Sequence, residues 1–230
     1  MDLIFATVTP VFRPGREISV NSLQLVSISV MTKIQLSAEE MKLVTNSGWI
    51  LTKHRIIEKV YHLFGNLSEQ MQLHLQERSR LLPAEVLRLP PKISKGEQYE
   101  ALPYVVLDYP RLFSKEDVFA VRSFFWWGNY FSITLHLKGK FHLQCCKKIT
   151  AAITEKKLQE HYFSFSGNEF SFNLDGKNYF LISNTNEDRY KKMEQQPFLK
   201  ISCKISFEHW DTAEQRIMQS FQHFITLAED

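Results

Sequence analysis

The sequence predicts an α+β fold in which an antiparallel sheet of two β-meanders plus flanking strands is packed by N-terminal helices and a C-terminal amphipathic helix. Three observations support this prediction. The 230 residues include 18 Phe, 8 Tyr and 4 Trp, and aromatic side chains favour strands and bury large areas. Closely spaced turn signals divide the second half of the chain into hairpins. Capping boxes mark helix starts near both ends of the chain.

The first part of the chain is predicted to be helical. Ser37 and Glu40 form a capping box that begins a short helix. A longer helix is expected at about 49–64, where apolar residues recur on one broad side. Gly65 and the asparagine after it are expected to end that helix. A third helix is then predicted at about 68–80.

The domain organisation is predicted from changes in composition along the chain. We interpret residues 1–30 as a possible non-native or disordered N-terminal extension, and the alternative is a native strand at 23–31. A single α+β domain is expected over 31–230. Prolines and scattered charges in its middle predict a long connection. The domain therefore has three parts, namely a helical front, a long loop and a sheet-rich back, at 37–82, 83–103 and 104–230.

The sheet-rich back is predicted to begin with a strand at 104–109. A short helix at 115–121 follows, capped by Ser114 with Asp117 three residues on. Two β-meanders come next, each defined by two short turns. Gly-Asn suits a type II′ turn and Asp-Gly a type I′ turn, and both match the twist of strands. The four turns are Gly128-Asn129, Lys138-Gly139, Gly167-Asn168 and Asp175-Gly176.

Helices and one more strand are predicted around the meanders. A helix at 150–160 separates them, a short helix is expected at 187–195, and a strand is expected at 198–207. The last helix carries a continuous apolar stripe, which is typical of a helix packed on a sheet. The stripe consists of Ala213, Ile217, Phe221, Phe224, Ile225 and Ala228.

A two-residue turn at Gly128-Asn129 would fix which side chains share a face of the first hairpin, because neighbours on a strand point to opposite faces. One face would then be apolar core, formed by Phe124, Trp126, Phe131, Ile133, Leu135 and Leu137. The opposite face would combine aromatic and polar side chains. From that face we predict a ligand-binding surface of Phe125, Trp127, Tyr130 and His136. The alternative is that the N-terminal helices cover this face.

The second hairpin is expected to be simpler than the first. A turn at Gly167-Asn168 would pair Phe163 with Phe172 and Phe165 with Phe170. That pairing gives one apolar face and one largely polar face, as in a sheet that is covered on one side.

Asp108, Arg111 and Ser114 are the predicted anion-binding residues. They lie where a strand ends and the capped helix at 115–121 is expected to begin. A helix N-terminus with a nearby arginine can hold an anion. The alternative is that Asp108 and Arg111 pair with each other and only fix the turn.

Two other clusters are predicted to be ordinary surface. His54, Glu58 and His62 share one side of a helix, but that side lies away from the apolar stripe, so we predict a solvated face and no metal site. A lysine cluster spans 138–157, yet a net charge of +3 disfavours nucleic acid as a partner. The cluster consists of Lys138, Lys140, Lys147, Lys148, Lys156 and Lys157.

The remaining composition limits the class of protein. Cys145, Cys146 and Cys203 are sparse and odd in number, which favours reduced thiols and a cytoplasmic location. Membrane insertion is not expected, because no segment has the roughly 20 apolar residues that a crossing needs. No nucleophile elbow, P-loop or dinucleotide motif is present, and we predict no cofactor.

Three functions remain open from the sequence. The leading hypothesis is a binding protein, not an enzyme, that takes a protein partner or a small apolar or aromatic ligand on the Phe125/Trp127/Tyr130/His136 surface. The first alternative is an enzyme that acts on an anionic small molecule near Asp108 and Arg111. The second alternative is a single-stranded nucleic-acid binder that uses the 138–157 lysine cluster. The sequence leaves the oligomeric state open.

Overall fold

A computed structural model describes most of the chain, namely residues 34–78, 80–165, 167–184 and 192–229. The chain divides into two units, Met1–Thr45 and Asn46–Asp230, and each is described by itself. The possible extension at 1–30 and the alternative strand at 23–31 lie outside the described residues. The expectation of one domain over 31–230 stays a prediction.

The described part of the first unit contains helix α1 (Ala38–Thr45). Its start is the predicted capping box. The Ser37 N–H donates to Glu40 Oε2 at 2.7 Å, and the Glu40 N–H donates to Ser37 Oγ at 3.2 Å. Two backbone donors that a helix start leaves unpaired are thereby satisfied.

The second unit is built on a seven-stranded antiparallel sheet in the order β1-β2-β3-β4-β7-β5-β6. Together with the helices, this sheet confirms the α+β class. The strands are β1 (Lys92–Tyr99), β2 (Leu102–Phe113), β3 (Val118–Trp126), β4 (Tyr130–Lys138), β5 (Tyr162–Ser164), β6 (Phe180–Leu181) and β7 (Phe198–Ser206).

Three α-helices contribute to the main hydrophobic core on one side of this sheet, which we call the helix face. The apolar stripe predicted for the last helix is buried along its whole length, which confirms it. The helices are α2 (Ser47–Glu77), α3 (Lys140–Thr154) and α4 (Ala213–Ala228). Short 3₁₀ turns lie at Ile182–Asn184, Met193–Gln195 and Phe207–Thr212. No helix among the described residues is long and apolar enough to cross a membrane.

Helix α2 is one helix where the sequence predicts two. The expected break at Gly65 does not occur, although glycine inside a helix costs about 1 kcal/mol relative to alanine. The apolar side simply continues past it, with Leu67, Met71 and Leu75 all buried in the main core. Burial of these side chains outweighs the cost of the glycine.

The first hairpin turns on three residues and not on two. Trp126 pairs with Tyr130 and Phe125 pairs with Phe131, so the loop consists of Trp127, Gly128 and Asn129. Gly128 has φ +75°, a left-handed conformation that glycine adopts without strain. The predicted pairing is therefore wrong by one residue, and a slip of one residue exchanges the faces.

Two local predictions between α2 and β3 are wrong. The long loop expected at 83–103 contains strand β1, which pairs with β2. The short helix expected at 115–121 is absent, because β3 already begins at Val118. Ser114 instead closes a turn between β2 and β3. Its Oγ accepts a hydrogen bond from the Asp117 N–H at 2.8 Å.

The second half of the chain also departs from the prediction. Helix α3 begins directly after Gly139 and not at about 150, and it contains the buried Cys145 and Cys146. The second meander is wrong, because β5 pairs with β6 and β7. Residues 167–179, which we call the strap, have no regular structure. Of the helix expected at 187–195, only the 3₁₀ turn at Met193–Gln195 falls within the described residues.

The strap covers the side of the sheet opposite the helices, which we call the strap face. Phe172, Leu174 and Tyr179 of the strap form a second, smaller core. They pack there against aromatic side chains of β3 and β4, including Phe124 and Tyr130. Both faces of the sheet are thus buried, one under helices and one under an irregular segment.

Candidate functional site

A band of polar side chains crosses the strap face beneath and beside the strap. Two rows of paired residues on neighbouring strands form it. One row runs Asp108, Arg122, Thr134 and Ser202, and the next runs Arg111, Ala120, His136 and Lys200. Most of these polar side chains are buried. Buried polar and charged groups cost free energy unless they are paired, so such a band is unusual in a core.

A bulge in β2 brings two of the predicted anion-binding residues onto this face. Asp108 and Arg111 are three positions apart, which would place them on opposite faces of a regular strand. The pairing shifts between them, so they oppose Arg122 and Ala120, which are only two positions apart. The extra residue of the bulge therefore puts Asp108 and Arg111 on the same face.

Asp108 pairs with Arg122 and not with Arg111. Arg122 Nε and Nη2 donate to the two carboxylate oxygens of Asp108 at 2.7 and 2.9 Å, a two-bond geometry that is among the stronger charge-assisted contacts. The Arg111 Nε donates to the Pro90 carbonyl at 2.7 Å. The alternative of a local Asp108–Arg111 pair is therefore wrong, and the two terminal nitrogens of Arg111 form no hydrogen bond within the described residues.

All three predicted anion-binding residues line one cleft of about 540 Å³ at the exposed end of the polar band. That volume is within the range of small-molecule sites. Lys92 and Lys115 enter the same cleft, as do Lys138 and Glu169. Two aromatic rings, Phe113 and Phe170, are 47% and 68% exposed at the cleft.

The charges of this cleft do not balance. Arg122 is paired with Asp108, and Lys138 is paired with Glu169. Among the described residues, Lys92, Arg111 and Lys115 have no carboxylate within 4 Å. Three positive charges thus line the cleft without a carboxylate partner in the part of the chain that the structure describes, and such a cleft attracts anions.

Glu169 contacts both Lys138, which lines the cleft, and His136, which belongs to the buried part of the polar band. Its Oε2 accepts from Lys138 Nζ at 3.1 Å, and its Oε1 lies 3.2 Å from His136 Nε2. Burial and the charges of Lys200, Arg122 and Lys138 lower the pKa of His136 to about 3. The imidazole is therefore neutral at physiological pH.

Lys200 lies fully buried next to this group. Its Nζ donates to the carbonyl oxygens of Glu169, at 2.8 Å, and of Ser171. The ammonium also stands 4.4 Å from the centre of the Phe172 ring and 5.1 Å from that of Tyr179. Burial, reinforced by the Arg122 charge, lowers the pKa of Lys200 to about 7. The amine therefore titrates near neutrality.

Side chains of the sheet hold the strap in place. The hydroxyl of Tyr99 accepts from the Phe172 N–H, and that of Tyr130 accepts from the Leu174 N–H, each at 2.7 Å. Lys204 pairs with the exposed carboxylate of Asp175 at 2.7 Å. The strap is attached at single points, unlike a strand whose backbone groups bond in a continuous ladder.

The four residues of the predicted aromatic binding surface do not share a face. Phe125 is buried on the helix face, where its ring contacts Phe131 and Phe207. Trp127 lies in the hairpin loop and packs at the edge of the same core. Tyr130 and His136 are buried on the strap face. The one-residue error in the hairpin pairing is the cause.

The other clusters singled out by the sequence lie elsewhere. His54, Glu58 and His62 are exposed on α2, as predicted. No group of three or more possible metal-ligating side chains occurs within the described residues. The lysines of 138–157 lie on β4, on α3 and in the turn after α3. Three of them pair with carboxylates, namely Lys138 with Glu169, Lys140 with Glu85 and Lys157 with Glu155.

A second cleft, of about 630 Å³, lies between β7 and the start of α4. It contains Cys203, His161, His209 and Arg216. Burial raises the pKa of the Cys203 thiol and lowers the pKa of His161 to about 4. A protonated thiol is a poor nucleophile, so the proximity of a cysteine and histidines here does not indicate cysteine catalysis.

Sequence reasoning missed Arg122, Glu169 and Lys200. A signal existed for Lys200, because it alternates with Ser202 and Lys204 along a predicted strand and so indicates a polar face. Arg122 was missed because the sequence predicts a helix at 115–121, directly before it, where the structure has the start of strand β3. The position of Glu169 depends on the path of the strap, which no local pattern indicates.

Comparison of the chain with protein-family models, with curated proteins and with solved structures found no match.

Proposed function

We propose that this protein binds a small organic anion in the cleft formed by Arg111, Ser114 and Lys115 at the exposed end of the polar band. The observation that carries the proposal is the excess of three positive charges in a cleft of small-molecule size. Arg111 offers two terminal nitrogens in a planar fork, the geometry that suits a carboxylate or a phosphate.

The ligand is expected to carry an apolar group as well as a charge. Phe113 and Phe170 present exposed rings at the same cleft, and Val118 is a further apolar lining residue. Exposed aromatic rings beside fixed polar groups are typical of sites that bury the body of a ligand and orient its charged end. An aromatic carboxylate or phosphate ester fits this combination.

Binding is favoured over catalysis at this site. His136 contacts Glu169 of the cleft and would be the acid or base of an enzyme here, but its pKa of about 3 makes it a weak base. The aromatic binding surface is not retained, because Phe125, Tyr130 and His136 are buried on two different faces.

Isothermal titration calorimetry with benzoate, phenyl phosphate and neutral benzyl alcohol tests the proposal. The two anions are expected to bind and the alcohol is not. Arg111→Ala should weaken anion binding roughly tenfold, the usual scale for losing one charge-assisted contact. Lys147→Ala is the matched control, since it removes an exposed lysine of α3 that does not line the cleft. Equal affinity of Arg111→Ala and wild type, or equal binding of benzyl alcohol, would contradict the proposal.

A further inference from the structure

The Glu169 carboxylate lies against positively charged side chains of the cleft, so the protein itself places an anion there. One of its oxygens faces Lys138 Nζ at 3.1 Å and the other faces His136 Nε2 at 3.2 Å. The residue belongs to the irregular strap and lines the cleft with Phe170. A carboxylate carried by the strap thus occupies the part of the cleft formed by Lys138 and His136.

Glu169 does not satisfy the histidine that it approaches. His136 is 4% exposed, and its Nε2 has no hydrogen-bond partner among the described residues. The 3.2 Å contact with Glu169 Oε1 is therefore close but poorly aligned. Leaving a buried polar nitrogen without a hydrogen bond costs free energy. A ligand carboxylate that is free to orient itself can supply the missing hydrogen bond, which the Glu169 carboxylate does not form.

From this juxtaposition we propose that His136 and Lys138 form the anion subsite of the cleft and that a ligand carboxylate occupies it by displacing Glu169. The proposal rests on the anion-binding function proposed above and names its chemical class. A carboxylate is favoured because the subsite already holds one, with one nitrogen facing each oxygen. The neutral His136 donates through Nε2–H, and Lys138 supplies the charge.

The strap keeps its backbone contacts with Lys200 when the Glu169 side chain is displaced. The carbonyl oxygens of Glu169 and Ser171 both accept from the buried Lys200 amine. When the Glu169 side chain leaves the subsite, this backbone contact is the part of Glu169 that remains attached to the sheet. Because the Glu169 carboxylate and a ligand carboxylate use the same subsite, Glu169 competes with the ligand. Its presence in the subsite lowers the fraction of protein that is ready to bind.

Benzoate titrations of Glu169→Gln and wild type test the proposal. Removing the internal carboxylate should tighten benzoate binding roughly tenfold, as expected if about one molecule in ten has an open subsite in the wild type. Glu58→Gln is the matched control, because it removes the same charge from an exposed position on α2 and should leave affinity unchanged. In Glu169→Gln the affinity for phenyl phosphate should rise less than that for benzoate, since the tetrahedral phosphate does not match the planar arrangement of the Glu169 carboxylate.

A second variant covers the case in which Glu169→Gln loosens the strap. Amide exchange of Phe172 and Leu174, which bond to tyrosine hydroxyls, reports whether the strap stays in place. If exchange rises strongly, the Lys138→Met variant tests the subsite instead, because it removes the subsite charge without altering the strap sequence. It should weaken benzoate binding roughly tenfold, the scale of one charged contact.

The outcomes separate the two proposals. Benzoate binding that is unchanged or weaker in Glu169→Gln with an intact strap, or unchanged in Lys138→Met, would overturn the subsite and leave the anion cleft standing. Absence of binding by the wild type and by Glu169→Gln would overturn both. Tighter binding by Glu169→Gln alone, with Glu58→Gln like the wild type, supports both.

Discussion

The two faces of the sheet are both buried, but different kinds of side chain bury them. On the helix face, α2 and α4 pack apolar side chains against apolar side chains, as at Phe131 and Phe221. On the strap face, a polar band lies under a segment that is attached by tyrosine hydroxyls and a buried lysine. Apolar packing accounts for a stable fold by itself. The strap face contains groups that folding alone does not need, so function is more reasonably sought there.

The difference also concerns how each face can move. Displacing a helix from the helix face would expose many apolar side chains together. Displacing part of the strap breaks a few separate hydrogen bonds, such as those from the Phe172 and Leu174 amides. The core under the strap, with Phe172, Leu174 and Tyr179, contains fewer buried residues than the main core, and a segment with fewer buried apolar contacts opens at lower free energy. The strap face is therefore the side on which a ligand can gain access.

The largest expected effect contrasts a helix-face core residue with an exposed strap residue. Phe221 is fully buried on α4, and Phe221→Ala should lower the free energy of unfolding by about 3–5 kcal/mol. Phe170→Ala, at a ring that is 68% exposed, should change it by less than about 0.5 kcal/mol. Urea unfolding followed by circular dichroism measures both. Comparable losses in the two variants would remove the contrast between the faces.

The next effect concerns pH and Lys200. Its pKa is lowered to about 7 from 10.5, so above pH 7 the folded state releases a proton that the unfolded state still holds. Stability should therefore rise with pH, by up to about 1.4 kcal/mol per unit. The window is about pH 7 to 8.5, because at higher pH unfolded thiols and tyrosines ionise, while the pKa values of Cys203 and Tyr130 are raised in the fold.

Lys200→Met isolates this contribution. The variant should lose the rise in stability between pH 7 and 8.5. Below pH 7 its free energy of unfolding is not lowered by a buried charge, as that of the wild type is. Urea unfolding at several pH values provides the measurement. A wild type and a variant with parallel pH profiles would show that Lys200 keeps an ordinary pKa.

The smallest effect tests whether the polar band is a connected structure. Thr134 Oγ1 and Ser202 Oγ are 2.8 Å apart in the buried row. Thr134→Val should cost about 1 kcal/mol, the usual net value of one hydrogen bond. A double-mutant cycle with Ser202→Ala should give a coupling of similar size. Additive losses would mean that the two hydroxyls do not act together.

The sequence predicted some elements fully, for reasons that are local. The α4 stripe and the Ser37 capping box depend only on spacing within a few turns of helix. The first hairpin was located correctly, but Gly128 suits both a two-residue and a three-residue loop. Its pairing, and hence the face of Phe125, could not be decided without the neighbouring strands. Strand β1 was missed because its sequence is polar and it lies at the edge of the sheet.

The candidate site was predicted in part and for a different physical reason. Asp108, Arg111 and Ser114 do lie together at one cleft. The sequence placed them at a helix N-terminus, whereas a strand bulge and a tight turn bring them together. Glu169 lines the cleft and contacts the buried Lys200 only because the strap crosses the sheet, and that path depends on contacts between distant parts of the chain.

Chemical-shift mapping of benzoate on the ¹⁵N-labelled wild-type protein would locate the anion site on the molecule. We expect the largest shifts at the cleft of the strap face, at Arg111, Ser114, Lys138 and Phe170. The second cleft, with His209 and Arg216, serves as an internal comparison of similar size and should be little affected. Shifts centred on that second cleft, or no saturable shifts at all, would contradict anion binding at the strap face.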